Sequence, residues 1–379
     1  MNKVNVRPVR TTRDKKVFIK FQWKVYEGNP YWVPPLLMDR RKLIDRKSNP
    51  FYKHAEMELF LAERDGEVVG RIGAIVNHNH NKEHNENIGF FGFFECVDDR
   101  DVANALFDNA RQWLLARGVT AVRGPASPSV NDEYGLLIDG FDKSPVILMP
   151  YNPPYYQRLI EDCGFTKAKD LYAYHVQKAT VFSEKLVRVS EMLKKREGLV
   201  FRALDMKHFD REIEIIRDLY SRGWSRNWGA VPMTKEEFDY VAKDLKHIVH
   251  PELVIFAEVK GKPVGFSLSL PDLNIVLKDN KKGYLIPGMI RLLLYKKRIN
   301  VVRILILGVV PEYLNSGIGG ALFYETGRRG IDHGFPDGEA SWVLEDNIMM
   351  NRGAELMHGE LYKKYRVYES ALRQQARAQ

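Results

Sequence analysis

Cysteine is almost missing from this chain. Among 379 residues only Cys96 and Cys163 occur, without CxxC spacing, which excludes a disulfide framework and a thiolate zinc or redox motif and makes a reducing, cytoplasmic setting the expectation. Long apolar runs are missing too. No stretch approaches the roughly 18 residues of a membrane-spanning helix, and the opening MNKVNVRPVRTTRDKK has no signal-peptide apolar core. Compositional bias is absent: hydrophobic residues make up 45% and charged residues 28%, a globular balance that excludes a disordered or fibrous chain. Acid is the scarcer charge. Asp plus Glu number 49 against 58 Lys plus Arg, a net +9, which favours anionic partners: phosphorylated cofactors, nucleic acid or an acidic membrane face. At roughly 100–200 residues per domain, the length implies two domains or one duplicated domain.

A repeat is present. FLAERDGEVVGRIGAI (60–75) and IFAEVKGKPVGFSLSL (255–270) both read as hairpins, with Glu63/Glu258, Gly66/Gly261, Val69/Val264 and Gly70/Gly265 all 195 apart. Residues 88–119 parallel 304–335 at a separation of 216, aligning Ile88 with Ile304 and Leu106 with Leu322. At Asn152/Asn347 and Gly164/Gly359 the separation is 195 again, so each copy carries its own 21-residue excess, the first within Thr120–Tyr151. The expected fold is α/β, an α+β unit with a mixed sheet, written twice as a tandem duplication. In the second copy the patterns predict leading helices marked by Leu219, Trp224, Phe238, Val241 and Leu245, a buried strand at Ile304–Val310 and a helix at Ile318–Asp332. A strand at Ala340–Leu344 and a closing strand at Tyr365–Tyr368 follow. Thr180–Gly198 is charged and helix-like, the expected join.

The most informative segment is VVPEYLNSGIGGALF (309–323). An apolar strand runs into Pro311 and Tyr313, and Gly317, Gly319 and Gly320 then open a helix. Glycines let backbone amides approach a ligand, and the free N–H groups and positive end of a new helix suit a pyrophosphate. Here the sequence resembles the GNAT superfamily of acyl-CoA-dependent N-acyltransferases, whose mark is a strand, a P-x-Y step and an Arg/Gln-x-x-Gly-x-Gly/Ala loop. Leu314 stands where Arg or Gln is usual, which removes a side-chain contact and leaves the backbone cradle. The first copy has Asp98, Asp99 and Asp101 in place of the glycines, carboxylates that repel a pyrophosphate.

The resemblance therefore implies two GNAT-like units, 1–180 without a cofactor loop, on the acceptor side, and 199–379 with an acyl-CoA-binding loop and an insertion at 271–303. It extends to bacterial double-GNAT proteins through phrases such as YWVPPLLMDRR (31–41), GPASPSVNDEYGLLIDGF (124–141) and GEASWVLEDN (338–347). Some proteins of that kind form ceramide by joining a fatty acyl group to a sphingoid amine. For the cofactor it implies Val309 and Val310 by their main chains, Asn315, Ser316, Gly317, Ile318, Gly319 and Gly320 as the cradle, and Asn347 on the cofactor arm, where helix capping is the competing role of an Asn.

Acyl transfer from a thioester needs a deprotonated amine, a polarised carbonyl and a protonated leaving thiol. Alternation places Glu339, Ser341, Val343 and Glu345 on one face of 338–347, which makes Glu339 and Glu345 the candidate bases; solvated carboxylates are the competing reading. The tyrosine that GNAT enzymes often place about seven residues after the Asn is replaced by Ala354 and Glu355, and Tyr362, Tyr365 and Tyr368 read as strand core. For the acceptor the candidates are Asn131, Asp132, Glu133 and Tyr134 inside the first copy's excess, and Trp224, Asn227 and Trp228 as an apolar lining; turn formation and packing compete. His78, His80 and His84 in NHNHNKEHNEN (77–87) read as a polar loop between strands, and no metal is assigned.

Within Lys278–Arg303, eight Lys or Arg face one acid, Asp279, around Leu285, Ile286, Met289, Ile290 and Leu292–Leu294. Such a basic amphipathic element suits peripheral contact with an anionic membrane, and a helix packed on its own domain is the alternative. No aromatic-interleaved basic motif supports nucleic-acid binding. The function expected is an acyl-CoA-dependent N-acyltransferase, passing an acetyl or fatty acyl group to a primary amine such as a sphingoid lipid amine. A Fem-type aminoacyl transferase using aminoacyl-tRNA and a non-catalytic GNAT-like binding protein stay open as alternatives.

Overall fold

A computed structural model describes residues 3–177, 184–224 and 227–372. Two compact units form: one holds the chain up to Asp170, Leu277–Ile290 and the residues from Tyr365 on, the other Leu171–Val276 and Arg291–Lys364.

In the first unit, β1 (Asn5–Pro8) leads into α1 (Thr12–Val25), α2 (Leu37–Leu43), β2 (Ala55–Arg64), β3 (Glu67–Asn77), α3 (His78–His84), β4 (Ile88–Cys96), α4 (Arg100–Leu115) and β5 (Ala121–Gly124). The short strands β6 (Ala126–Ser127), β7 (Glu133–Tyr134) and β8 (Leu136–Asp139) follow, then α5 (Tyr155–Asp162) and the start of β9 (Thr166–Gln177). β1 to β4 pair antiparallel in sequence order, and β4 pairs parallel with β5. Helix α4 begins where Asp99 caps it, and buries Val102, Leu106, Phe107, Ala110 and Leu114 against Ile72, Ala74 and Phe91 of the sheet.

The second unit contains α6 (Glu184–Glu197), β10 (Leu199–Ala203), α7 (Phe209–Trp224), α8 (Lys235–Leu245), β11 (Val254–Val259), β12 (Lys262–Pro271) and α9 (Asn274–Leu277), which ends at the unit boundary. After α10 (Leu285–Tyr295), which crosses that boundary, come β13 (Val301–Val309), α11 (Ile318–Asp332), β14 (Asp337–Leu344), α12 (Ile348–Leu356) and the start of β15 (Glu360–Ala371). β10 to β13 are antiparallel neighbours, and β13 pairs parallel with β14. The closing strands are exchanged between copies. Residues 171–177 of β9, at the end of the first copy, pair with β14, whereas Tyr368–Ala371 of β15, at the end of the second, pair with β5.

The duplication is visible in backbone detail. Asp65–Gly66 and Lys260–Gly261 all have positive φ, the conformation of a two-residue hairpin turn whose twist matches its strands. The bulge at Ala62/Glu63 recurs at Ala257/Glu258. One alignment needs correction. Gly70 faces Cys96 as Gly265 faces Val309, so Ile88 corresponds to Val301 and not to Ile304, an apolar run having hidden a slip of three. The polar 77–87 segment is also more than a loop: Asn77 caps the short helix α3 by accepting from His80 N. In the Thr180–Gly198 join, 180–183 lie outside the described residues, and the rest is α6, packed on α11.

Candidate active site

β13 and β14 pair only from Val301/Asp337 to Ile304/Ala340, although β13 runs on to Val309 and β14 to Leu344. Past Ile304 the two strands part. On its other edge β13 stays paired with β12 as far as Gly265/Val309, past one register shift between Leu268 and Ser269, and the Val310 N–H donates to the Val264 carbonyl at 2.8 Å. Amide directions alternate along a strand, so the Val309 N–H faces the gap. Of the two valines expected on the thioester side, only Val309 offers an amide there, because that of Val310 is held by β12.

The chain leaves β13 through Pro311–Tyr313 and turns into α11 at Gly317, whose φ of +85° is left-handed. A side chain there would cost roughly 1–2 kcal/mol, which explains the glycine. Behind it stand Leu193 and Val189 of α6, 3.4 and 3.6 Å from where a Cβ would lie. The Ser316 hydroxyl donates to the Tyr313 carbonyl at 2.6 Å and accepts from the Ile318 N–H at 3.2 Å. The first bond within the helix is Ala321 N–H to Gly317 O, and no side chain caps Gly317. The amides of Gly319 and Gly320 therefore point out of the helix start without a protein acceptor among the described residues. Leu314, Asn315, Ser316 and Gly317 are exposed, and a Cβ on Gly319 would meet nothing within 4 Å. An uncapped, exposed, glycine-lined helix start has the geometry that suits an anion.

Glu339 lies one residue before the last β13–β14 pair and is 1% exposed. It accepts from the Ser341 hydroxyl at 2.5 Å and from the Tyr362 hydroxyl of β15. Buried Arg303 of β13 donates to the Ser341 hydroxyl at 3.1 Å and to its carbonyl at 3.3 Å. His175 of β9 faces Glu339 in register, its ring 5.7 Å from that of Tyr362. Glu339 is thus the centre of a buried polar cluster at the base of the gap. Ser341, Arg303, Tyr362 and His175 were not singled out as its partners in the sequence, because Arg303 counted among the surface cations of the insertion and Tyr362 among the core tyrosines. Strand register brings two of them to Glu339, Arg303 across β13–β14 and His175 across β14–β9. Tyr362 is half-buried, unlike Tyr365 and Tyr368, which are core. Glu345 departs from the expected alternation: the register of β14 shifts between Ala340 and Val343, the strand ends at Leu344, and Glu345 sits half-exposed beyond it. Asn347 caps α12, its side-chain oxygen accepting from the Met350 N–H at 3.2 Å.

The first copy shows the same positions filled by protein. Cys96, which corresponds to Val309, donates its N–H to the Tyr156 hydroxyl at 2.8 Å. The Phe93 N–H is taken by Ser127 Oγ at 2.9 Å, and the backbone oxygen of Ala126 presses so close to Gly92 that a Cβ would lie 1.7 Å from it. Asp99 supplies the cap that Gly317 lacks, accepting from the Asp101 and Val102 amides. The Arg64 guanidinium beside Asp99 holds its carboxyl below the usual range. Only residues 97–99 separate β4 from α4, against 310–317 between β13 and α11.

Of the acceptor candidates, Trp224 stands beside the gap. Its ring covers β13 where a Cβ on Gly308 would come within 2.8 Å, and it stacks on Tyr220 with centroids 5.4 Å apart. Asn227 and the half-buried Trp228 sit in the turn after α7, where the Asn227 N–H donates to the Trp224 carbonyl. In the other unit, Glu133 pairs with Arg40, Asp132 accepts from Ser129 Oγ at 2.6 Å and the Asn131 N–H donates to that same hydroxyl. Tyr134 is buried, which raises its hydroxyl pKa. The histidines have structural partners: His80 is buried against Glu86, 2.9 Å away, and His78 pairs with Glu56.

Two units built this way, one with an open strand gap and a glycine-lined helix start, have the tandem GNAT fold. Solved structures with the same fold include a tandem GNAT protein from the clavulanic acid biosynthesis pathway, at a TM-score of 0.57 and 12% identity over 98% of this chain and 99% of that one. A GCN5-related N-acetyltransferase from Sphaerobacter thermophilus matches at a TM-score of 0.54 and 13% identity, over 98% and 96%. No family model matches the sequence. The curated relatives are closer in sequence. A Caulobacter vibrioides protein described as bacterial ceramide synthase is 37% identical over 97% of this chain and 98% of its own length, and Protein YghO of Escherichia coli is 34% identical over 97% and 95%. The chain belongs to the family of these two proteins.

Proposed function

We propose that this N-acyltransferase takes its acyl group from acyl-CoA and passes it to the primary amine of a sphingoid-type lipid. The observation that carries the donor assignment is the uncapped start of α11 beside the open end of β13. Gly319 and Gly320 amides, with Asn315, Ser316, Gly317 and Ile318 shaping the turn, would hold the pyrophosphate, and the Val309 N–H would donate to the thioester oxygen as it gains charge. The name of the Caulobacter relative supports a lipid amine as acceptor, with Trp224 and Trp228 as apolar lining.

The chain's own proton chemistry centres on Glu339. The attacking amine passes its proton through the Tyr362 hydroxyl to this carboxylate, while Ser341 and Arg303 fix the carboxylate's position. Glu345 is the alternative base, and the group that returns a proton to the departing thiolate is unassigned. In the same reading the protein is cytoplasmic and peripheral at the inner membrane face, meeting it through 278–303. No helix among the described residues is long and apolar enough to cross a membrane.

The test is turnover. Purified protein with palmitoyl-CoA and sphinganine should release free CoA thiol in step with an N-acyl product detected by mass spectrometry. Thiol release that is absent with every acyl-CoA would refute the donor; release with small amines and none with sphinganine would refute the acceptor.

A further inference from the structure

Helix α10 is mounted with its apolar face outward. Among its residues only Gly288 is buried, while Ile286, Met289, Ile290, Leu293 and Leu294 are 51–73% exposed. Their spacing of i, i+3, i+4, i+7 and i+8 is that of a core-facing stripe, here turned to solvent. Monomeric proteins seldom expose contiguous apolar surface beyond a few hundred Å² without a use for it. The mounting is firm. Trp23 Nε1 donates to the Lys281 carbonyl at 2.7 Å, the Leu37 N–H to the Gly283 carbonyl at 2.8 Å, and Asn280 Nδ2 to the Tyr284 carbonyl at 2.8 Å.

The ends of the helix show what this face meets. Exposed Tyr284 and Tyr295 bracket the stripe, the placement of rings that sit at a lipid headgroup level. Next to them are exposed Lys281 and Lys282 on one side and exposed Lys296 and Lys297 on the other, none with an ion-pair partner among the described residues. Arg303, counted among the cations of this segment in the sequence, is instead buried in β13. The exposed cations of the segment thus lie at the two ends of α10, and Arg291 within the helix is half-buried. An apolar stripe, aromatic ends and unpaired cations together describe a helix lying in the plane of an anionic bilayer surface.

We propose that α10 is a membrane-docking helix whose Ile286, Met289, Ile290, Leu293 and Leu294 enter the headgroup–acyl boundary of an anionic phospholipid bilayer, with Lys281, Lys282, Lys296 and Lys297 on its headgroups. This stands without the acyl-transfer assignment, and its test uses no substrate. Full-length protein is floated with vesicles of phosphatidylcholine alone and with about one third phosphatidylglycerol, beside Leu293→Ser/Leu294→Ser and Lys296→Gln/Lys297→Gln variants of unchanged melting temperature.

Wild type should float with the anionic vesicles and poorly with the neutral ones. The leucine variant should lose binding by more than about tenfold, and the lysine variant should lose the preference for anionic lipid. Absence of flotation, or flotation indifferent to the leucines, would overturn the proposal. So would a stable dimer in sedimentation velocity that the leucine variant splits, since a second copy would then cover the face.

Discussion

Gly319→Glu separates ligand binding from folding in the cradle. Open space surrounds a Cβ at this position, so the side chain fits without displacing a neighbour. Glutamate is a better helix former than glycine, and a carboxylate in the first turn interacts favourably with the helix dipole, each worth about 0.3–1 kcal/mol. The folded protein should therefore melt at the same temperature or higher. The ligand meets the opposite effect. A carboxylate roughly 5 Å from a bound pyrophosphate repels each unit charge by about 3 kcal/mol at an effective dielectric near 20, and by about half that when solvent screens the exposed loop. At 1.4 kcal/mol per decade, the Kd for CoA should rise roughly 10- to 150-fold. The assay is calorimetric titration of wild type and variant with CoA and with acyl-pantetheine, which lacks the pyrophosphate. Affinity for acyl-pantetheine should stay the same. A variant that is folded and binds CoA within threefold of wild type would refute the cradle. Gly317 is the poorer site for this experiment, because its left-handed backbone confounds the substitution with strain.

Three further outcomes follow from the geometry. Tyr362→Phe removes a hydroxyl that donates to the buried Glu339 carboxylate; it should cost about 1.5–3 kcal/mol in denaturant unfolding and lower kcat with KM for acyl-CoA unchanged, and an unaltered kcat would exclude a proton route through this residue. Asn347→Ala removes the cap of α12 and should cost about 1 kcal/mol, with a separate loss of CoA affinity only if the side-chain amide also touches the cofactor. Burial lowers His80 to about 4 from an ordinary 6.5. The unfolded chain therefore takes up a proton below pH 6.5 that the folded chain refuses, so about 3 kcal/mol of stability is lost as pH falls from 6.5 to 4. Denaturant titrations in that window should show His80→Leu losing less than wild type; parallel losses would contradict the assignment.

Much of the fold was legible because its signals are local. The Asp-Gly and Lys-Gly turns fix both hairpins, and the apolar i, i+3, i+4 spacing of Ile318, Ala321 and Leu322 opens α11, which runs from Ile318 to Asp332, the span expected. Strand register was less legible: an apolar run such as Ile304–Val310 fits several alignments equally well, and only the pairing of Gly265 with Val309 sets it. The exchange of closing strands had no local signal, since β9 and β15 have the same pattern whichever sheet they join. At the candidate site the glycines announced themselves by chemistry, whereas the contacts of Glu339 depend on residues from four strands. The filled first copy was visible only in part, through Asp98, Asp99 and Asp101. That Tyr156 occupies the amide of Cys96 follows from tertiary packing.

The account depends most on acyl-CoA being held by the second unit, and calorimetry on the unmodified protein tests this directly. CoA should bind at one site per chain, more weakly as salt is raised, and affinity should climb from acetyl-CoA to palmitoyl-CoA. Titrations that show no heat with CoA or with any acyl-CoA, under conditions where the protein is folded, would contradict it.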